Sequence, residues 1–194
     1  IVTNRPPEIT SIIAPIVPVP VGQNVNATVV FSDPDVGDTH TATWDWGDGT
    51  TSTGSASVPS VTTSHAYTSA GVYTVTATIT DAAGESDTET FQYVVVYDPN
   101  GGFVTGGGWI NSPLGAYTPD PLLTGKATFG FVSKYQKGAT TPTGNTEFQF
   151  HVANMNFKST SYDWLVIAGT KAQYKGIGTI NGMGEYKFML TAID

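Results

Sequence analysis

The sequence predicts an all-β protein of two domains in tandem, a seven-stranded sandwich followed by a second antiparallel β domain. Three observations predict it. Thr, Gly, Val and Ser are abundant, Leu is scarce, and turn residues recur every eight to twelve positions or so, the habit of short strands joined by tight loops. Apolar residues alternate with period two, as in Val72–Thr80, where Tyr73, Val75, Ala77 and Ile79 fall on one face. The texture then changes near residue 100, and so does the charge. Residues 1–98 hold one Arg, no Lys and eleven carboxylates, whereas residues 99–194 hold seven Lys and five carboxylates. A lysine-free acidic half is poorly suited to nucleic acid or anionic membranes and well suited to divalent cations. The chain has no Cys, so disulfide and thiolate chemistry are excluded. Its longest apolar run, Ile12–Val21, is broken by prolines and predicts no membrane insertion, and no signal peptide is visible. The chain begins without Met and is read as a piece of something larger.

In the first half, Asn4-Arg5-Pro6-Pro7 is an extended opening, because residues before proline avoid the helical region. Ile9–Ile13 is the first strand, Pro15–Val21 an edge segment, and Ala27–Phe31 the second full strand. Ser32–Asp38 is a loop with three carboxylates, Asp33, Asp35 and Asp38. Thr41–Trp46 follows. Trp44 and Trp46 are two apart, so both indoles point to one face and Asp45 to the other. Gly47-Asp48-Gly49 then forces a turn, since Gly accepts positive φ and Asp bonds its own backbone. A polar Ser/Thr-rich connection, a strand over Val61–Tyr67, the strand Val72–Thr80, a hairpin turn at Asp81–Gly84 and a last strand over Glu85–Tyr97 complete the half.

Seven strands with a Trp on the third suggest an immunoglobulin-like sandwich. Trp44-Asp45-Trp46-Gly47-Asp48-Gly49, His65-Ala66-Tyr67, Gly71-Val72-Tyr73-Thr74-Val75 and Thr80–Gly84 make residues 4–97 resemble the PKD (polycystic kidney disease) domain, whose motif normally has Phe where Trp46 stands. The resemblance implies a module of secreted or cell-surface prokaryotic proteins, among them proteases, collagenases and chitinases, without catalysis of its own. The domains are read as 1–98, a linker over 99–102, and 103–194.

The second half alternates glycine with aromatics. Ala127, Phe129, Phe131 and Tyr135 share a face, as do Phe148, Phe150 and Val152; Trp164 and Val166; Tyr174 with Gly176 and Gly178; and Tyr186, Phe188, Leu190 and Ala192. Turns are expected at Thr140–Gly144, Ala168-Gly169 and Asn181–Gly184. This pattern predicts a meander of six or seven strands, with a barrel or a second sandwich as the alternatives. It resembles the glycine-rich β domains that follow PKD or Ig-like repeats in secreted bacterial proteins, carried by Gly106–Ile110, Gly130–Tyr135 and Thr146–Phe150. The chain stops directly after a strong strand, so this domain is expected to continue, and an unpaired edge would invite pairing between molecules.

Two sets of residues are candidates for function. In a sandwich of this topology the chain opening and the loops after the second and sixth strands share one end, which gathers Asn4, Asp33, Asp35, Asp38 and Asp81. An all-oxygen set in flexible loops suits Ca²⁺, which takes six to eight oxygens; bare neighbouring carboxylates would raise one another's pKa values. The plainer alternative, a solvated acidic turn in which Asp33 and Asp81 cap backbone amides, carries the greater weight. The second set is aromatic: Trp109, Tyr117, Tyr135, Tyr162 and Trp164 as a sugar-stacking platform, with Tyr117 and Tyr162 the most exposed. The alternative for these is ordinary core.

Catalysis is not expected. Asp45 and Asp48 flank a tight turn rather than face each other across a cleft, as glycoside hydrolysis requires. His40, His65 and His151 make no two-His zinc spacing, and no nucleophile elbow is present. His65 is expected to pack, His151 to lie outward on a strand, and Tyr73 to be a corner tyrosine bonded back to the main chain. The reading is a non-catalytic spacer and interaction module, stiffened by calcium in the first alternative above. Its partners are other domains of the parent protein, surface proteins or polysaccharide. The competing reading is a polysaccharide-binding accessory of a secreted hydrolase.

Overall fold

The structure, a computed structural model, describes residues 4–194. Ile1, Val2 and Thr3, which the predicted first domain includes, lie outside the described residues. The chain divides into two compact units that meet between Val96 and Tyr97. No helix among the described residues is long and apolar enough to cross a membrane.

The first unit contains β1 (Glu8–Ile13), β2 (Val19–Pro20), β3 (Asn24–Ser32), β4 (His40–Asp45), β5 (Thr51–Ala56), β6 (Ser60–Ala66), β7 (Gly71–Asp81) and β8 (Ser86–Tyr97). One sheet has the order β1-β3-β6 and the other β2-β8-β7-β4-β5. Their inner faces supply a single apolar core that includes Val25, Val29 and Phe31 from one sheet and Trp44, Val75, Ala77 and Ile79 from the other. The indoles behave as period two requires. Trp44 and Trp46 are both buried, with ring centroids 5.9 Å apart and planes 12° from parallel, while Asp45 faces solvent. Gly47 ends the strand at φ 74°, and a Cβ there would lie 2.5 Å from the Thr74 carbonyl oxygen. Only glycine meets both conditions.

The Ser/Thr-rich connection after Gly49 is a strand, β5, paired with β4 from Asp45↔Thr51 to His40↔Ala56. Its outward residues are Thr51, Thr53 and Ser55, so it lacks the apolar alternation that marks a strand. It forms because Thr suits the pleated surface and because β4 offers a free edge. Ser52, on its inner side, accepts the Trp46 Nε1–H at 2.9 Å.

The second unit contains β9 (Phe103–Ser112), β10 (Gly125–Tyr135), β11 (Pro142–Phe150), β12 (Met155–Ala168), β13 (Lys171–Ile180) and β14 (Met183–Ile193). They form one antiparallel sheet in the order β14-β13-β12-β11-β10-β9, a pure meander. The expected meander is thus what forms, and of its alternatives neither barrel nor second sandwich occurs in the pairing of the described residues. The sheet curls instead. Val104 of β9 shares a buried cluster with Tyr162, Leu165, Ala172 and Tyr174, against which Phe131 and Leu190 pack. A cleft of about 820 Å³ remains on this concave side. Two register shifts in β12, at Ser159/Ser161 and Tyr162/Trp164, supply the local bend, as bulges do. Glycine lets rings lie flat across the edge strand. Gly106 and Gly108 oppose Phe131 and Phe129, and a Cβ on Gly106 would meet the Phe131 ring at 2.5 Å.

Two local expectations are corrected. The turn placed at Thr140–Gly144 lies earlier, closed by Ala139 N–H to Gln136 O at 2.9 Å, and β11 already begins at Pro142. His151 is not on a strand but opens a 3-10 turn over His151–Ala153, which Asn154 ends at φ 48°.

Candidate functional site at the acidic end of the first unit

β3 ends at Ser32, β4 starts at His40 and β7 ends at Asp81 opposite His40, so their connecting loops meet at one end of the sandwich. Asp33 Oδ1 accepts the Asp35 N–H at 2.7 Å, and its Oδ2 lies 2.7 Å from His40 Nε2. Asp33 and His40 side chains are 2% and 4% exposed. Asp81 Oδ1 accepts the N–H groups of Ala83 (2.9 Å) and Glu85 (3.0 Å), closing the β7–β8 turn, and its Oδ2 accepts Asn4 Nδ2 at 2.9 Å. Oxygens of Asp33, Asp38 and Asp81 lie within 4.8 Å of one another.

Asp35 is turned elsewhere. Its Oδ2 accepts the Arg5 N–H at 2.7 Å and its Oδ1 pairs with Arg5 Nη2 at 3.1 Å, while the Pro34 carbonyl accepts from the same Nη2. Arg5 is the only basic residue besides histidine in this half, and it pairs with the half-buried Asp35. Asn4 presents an N–H to Asp81. Asp35 and Asn4 therefore stand outside the converging oxygens, and the five-residue set narrows to three.

The expectation that crowded carboxylates raise one another's pKa values is also corrected. The hydrogen bond from His40, followed by that from the Asp35 amide, holds Asp33 below the ordinary carboxylate value, although Asp81 opposes this. The Asn4 amide and the backbone donors of the β7–β8 turn lower Asp81 likewise. Hydrogen bonds to the charged form outweigh like-charge repulsion here. These acids are ionised staples whether or not a cation is bound.

A second set of staples holds the Trp turn. Gly47 N–H donates to Asp45 Oδ1 at 2.9 Å, and Asp48 Oδ1 accepts both the N–H (3.0 Å) and the hydroxyl (2.6 Å) of Thr50. Asp48 Oδ2 lies 2.7 Å from His65 Nε2, whose ring stacks on Trp46 at 4.9 Å. His65 thus couples the turn to the core, a role beyond packing that its sequence spacing does not reveal. Burial pulls the Asp48 carboxyl up, but hydrogen bonds from Thr50 and His65 hold it below its usual value. Tyr73 donates its hydroxyl to Ser69 O at 2.9 Å, as a corner tyrosine does.

The three depressed carboxylates fix the sign of the acid response. A folded-state pKa below the unfolded one, about 3.9 for Asp, contributes stability that is complete above that value and lost as pH falls through the folded value. Near-ultraviolet circular dichroism of the buried indoles is expected to show a thermal midpoint that is flat from neutrality to about pH 5 and falls steadily below about pH 4. Asp33→Asn is expected to lower the neutral midpoint and flatten the acid limb; an unchanged limb in that variant would refute the assignment.

The aromatic candidates do not form a platform. Tyr162 and Trp164 are buried, each 7% exposed, because the bulges of β12 turn that segment inward. Tyr135 is half-buried, and its hydroxyl oxygen accepts the Leu165 N–H at 3.1 Å. Tyr117 is half-buried with its ring edge-on to Phe150 at 5.6 Å. Trp109 alone is open, 59% exposed.

Residues 4–96 match the family model described as PKD domain. Among solved structures, the chain is similar to the PKD domain of an M14-like peptidase from Thermoplasmatales archaeon SCGC AB-540-F20, at 29% identity over 48% of this chain and 98% of that one, with a TM-score of 0.41. It is also similar to a structure described as the basis for the promiscuous specificity of carbohydrate-binding modules from the β-sandwich superfamily, at 16% identity over 98% of this chain and 85% of that one, with a TM-score of 0.42. No curated protein matches. With the Trp-Asp-Trp-Gly-Asp-Gly turn, the two-sheet topology and the family match in agreement, the first unit of this chain is a PKD domain.

Proposed function

We propose that this chain is an extracellular accessory piece of a larger prokaryotic protein, in which the PKD domain acts as a spacer that holds its neighbours at a defined angle. The supporting observation is the clamp on the opening segment. Asn4 is tied to Asp81, Arg5 to Asp35 through both backbone and guanidinium, and the Ile9 N–H to Asp87 Oδ2 at 2.7 Å. Three separate loops or strands thereby set the direction in which the chain enters the sandwich.

Calcium reinforces this clamp in the proposal. Calcium–oxygen distances of about 2.3 to 2.6 Å separate ligands on opposite sides of the ion by roughly the spacing seen among Asp33, Asp38 and Asp81, so the donor set fits. Three carboxylates supply less than half of the six to eight oxygens the ion takes, which leaves the rest to water or backbone. One experiment tests both parts: amide exchange at Arg5 and Ile9, followed without calcium and with millimolar calcium. Slow exchange in both conditions, slower with the ion, is expected. Fast exchange at both amides would overturn the clamp, and exchange indifferent to calcium would remove the ion from it.

A second reading, a polysaccharide-binding accessory, is favoured by one observation. Trp109 stands exposed on a sheet face that also carries amides and carboxylate.

A further inference from the structure

Directly opposed residues on neighbouring strands share a face of the sheet. Trp109 on β9 opposes Thr128 on β10, Thr128 opposes Gln149 on β11, and Gln149 opposes Asn156 on β12. The adjacent row on the same face is Gly107, Gly130, Glu147 and Lys158. These two rows lie on the face opposite the buried cluster.

Lys126 Nζ lies 5.0 Å from the centroid of the Trp109 ring, a cation–π contact that fixes the indole from the side of Asn111. On its other side Gly107 and Gly130 carry no side chains. A depression of about 280 Å³ opens over Gly130, bounded by Thr128, Asn145, Glu147 and Gln149, with Thr128 lying directly across from Trp109. It is just under the roughly 300 Å³ at which small-molecule pockets begin, a size for one ring rather than an extended ligand. Glu147 Oε1 accepts Gln149 Nε2 at 3.0 Å and Asn156 Nδ2 at 3.1 Å, which aligns the two amides beside the carboxylate. Asn156 Oδ1 is buried and has no hydrogen-bond partner. The face therefore combines one open indole, a side-chain-free dip, and an oriented row of carboxylate and amide groups.

Three ligand chemistries can be weighed against that pattern. An apolar segment would cover the indole but cut off from water those oxygens of Glu147 and Gln149 that are not bonded within the row, a cost of about 1–3 kcal/mol for each group. A strongly anionic ligand would meet Glu147, and a strongly cationic one would meet Lys126 and Lys158 on the same face. A sugar satisfies every part: its C–H face stacks on an indole, and its hydroxyls donate to carboxylate and amide oxygens. We propose that Trp109, Gly130, Glu147 and Gln149 form a binding site for one neutral pyranose unit of a polysaccharide chain, seated beside Trp109 over the Gly130 dip, with Asn156 positioning Glu147. The site gives the polysaccharide-binding reading above its location and rests on that reading.

Trp109 is the only indole open to solvent, since Trp44, Trp46 and Trp164 are buried, so its fluorescence reports on the site directly. The full chain is titrated with cellohexaose, chitohexaose, xylohexaose and maltohexaose, and retention is measured on the matching insoluble polymers. Binding of at least one sugar series with a change in indole emission is expected. Trp109→Ala and Gly130→Val are each expected to weaken it at least about tenfold. A Cβ on Gly130 meets nothing within 4 Å, so Gly130→Val fills the dip without disturbing the sheet, and its thermal midpoint is expected to hold. Sugar binding that survives both variants would overturn this site while leaving the polysaccharide reading in place. Failure of all four series to bind would overturn both.

Discussion

Trp46→Ala is expected to cost the PKD domain about 3–5 kcal/mol, the range seen when a large buried aromatic is truncated. Trp46 is fully buried, and its ring is held on three sides: stacked on Trp44 at 5.9 Å, stacked on His65 at 4.9 Å, and met edge-on by Tyr67 at 6.4 Å. Removing it opens a cavity that the two-sheet frame cannot close. It also strands the Ser52 hydroxyl that receives the indole N–H, and loosens His65, which anchors the Asp48 turn. The loss is comparable to the whole stability of many domains of this size, about 5–15 kcal/mol. Trp46→Phe keeps a ring in the stack and gives up only the N–H and part of the area, so a loss of about 1–2 kcal/mol is expected. Chemical denaturation followed by the near-ultraviolet signal separates the cases. An Ala variant within about 1 kcal/mol of the parent would show that the paired indoles are not the centre of this core.

The paired indoles were legible because period two is a property of the backbone, independent of what lies across the sheet. The same holds for the Gly47 turn and for Tyr73, whose positions require a particular backbone geometry. The meeting of Asp33, Asp38 and Asp81 also followed from topology alone, since antiparallel strands return their loops to the same ends. What failed was whatever depends on the neighbour. β5 carries no apolar stripe, and only the edge of β4 makes it a strand. Asp35 was assigned with the other acids, but the nearby Arg5 draws it away, and two residues of sequence spacing cannot say which way a carboxylate turns. Tyr162 illustrates the hardest case. Each bulge in β12 inserts a residue and reverses the in-and-out alternation beyond it, so side chains read as outward from sequence point inward. The amide row beside Trp109 was hidden for a related reason. Its members come from three strands, and only the register brings Thr128, Gln149 and Asn156 into line with the indole.

In the second unit the largest effect is expected at Tyr174, which is fully buried on the inner side of the curled sheet. Its ring lies among Phe131, Tyr162 and Phe188 at centroid distances of 6.2, 5.6 and 5.8 Å. Its hydroxyl meets Thr146 Oγ1 at 2.7 Å; the same oxygen meets the Tyr162 hydroxyl at 2.9 Å, which in turn meets Ser159 Oγ at 2.9 Å. The curl thus rests on an aromatic cluster with a polar chain through it. Tyr174→Ala is expected to lose about 3–5 kcal/mol from the cavity, whereas Tyr174→Phe keeps the ring and loses about 1 kcal/mol with the hydrogen bond. The two variants differ further in alkali. Burial pushes the Tyr174 phenol up to about 12, and Tyr135 in the same unit likewise to about 12. The folded state therefore holds these protons more tightly than the unfolded chain, whose phenols titrate near 10. The stability they contribute is complete below about pH 10 and is lost as pH rises toward about 12. Tyr174→Phe removes one of the two groups and is expected to make the alkaline fall of the midpoint shallower although the neutral midpoint is lower. An alkaline limb as steep as the parent's would show that the buried phenol does not set it.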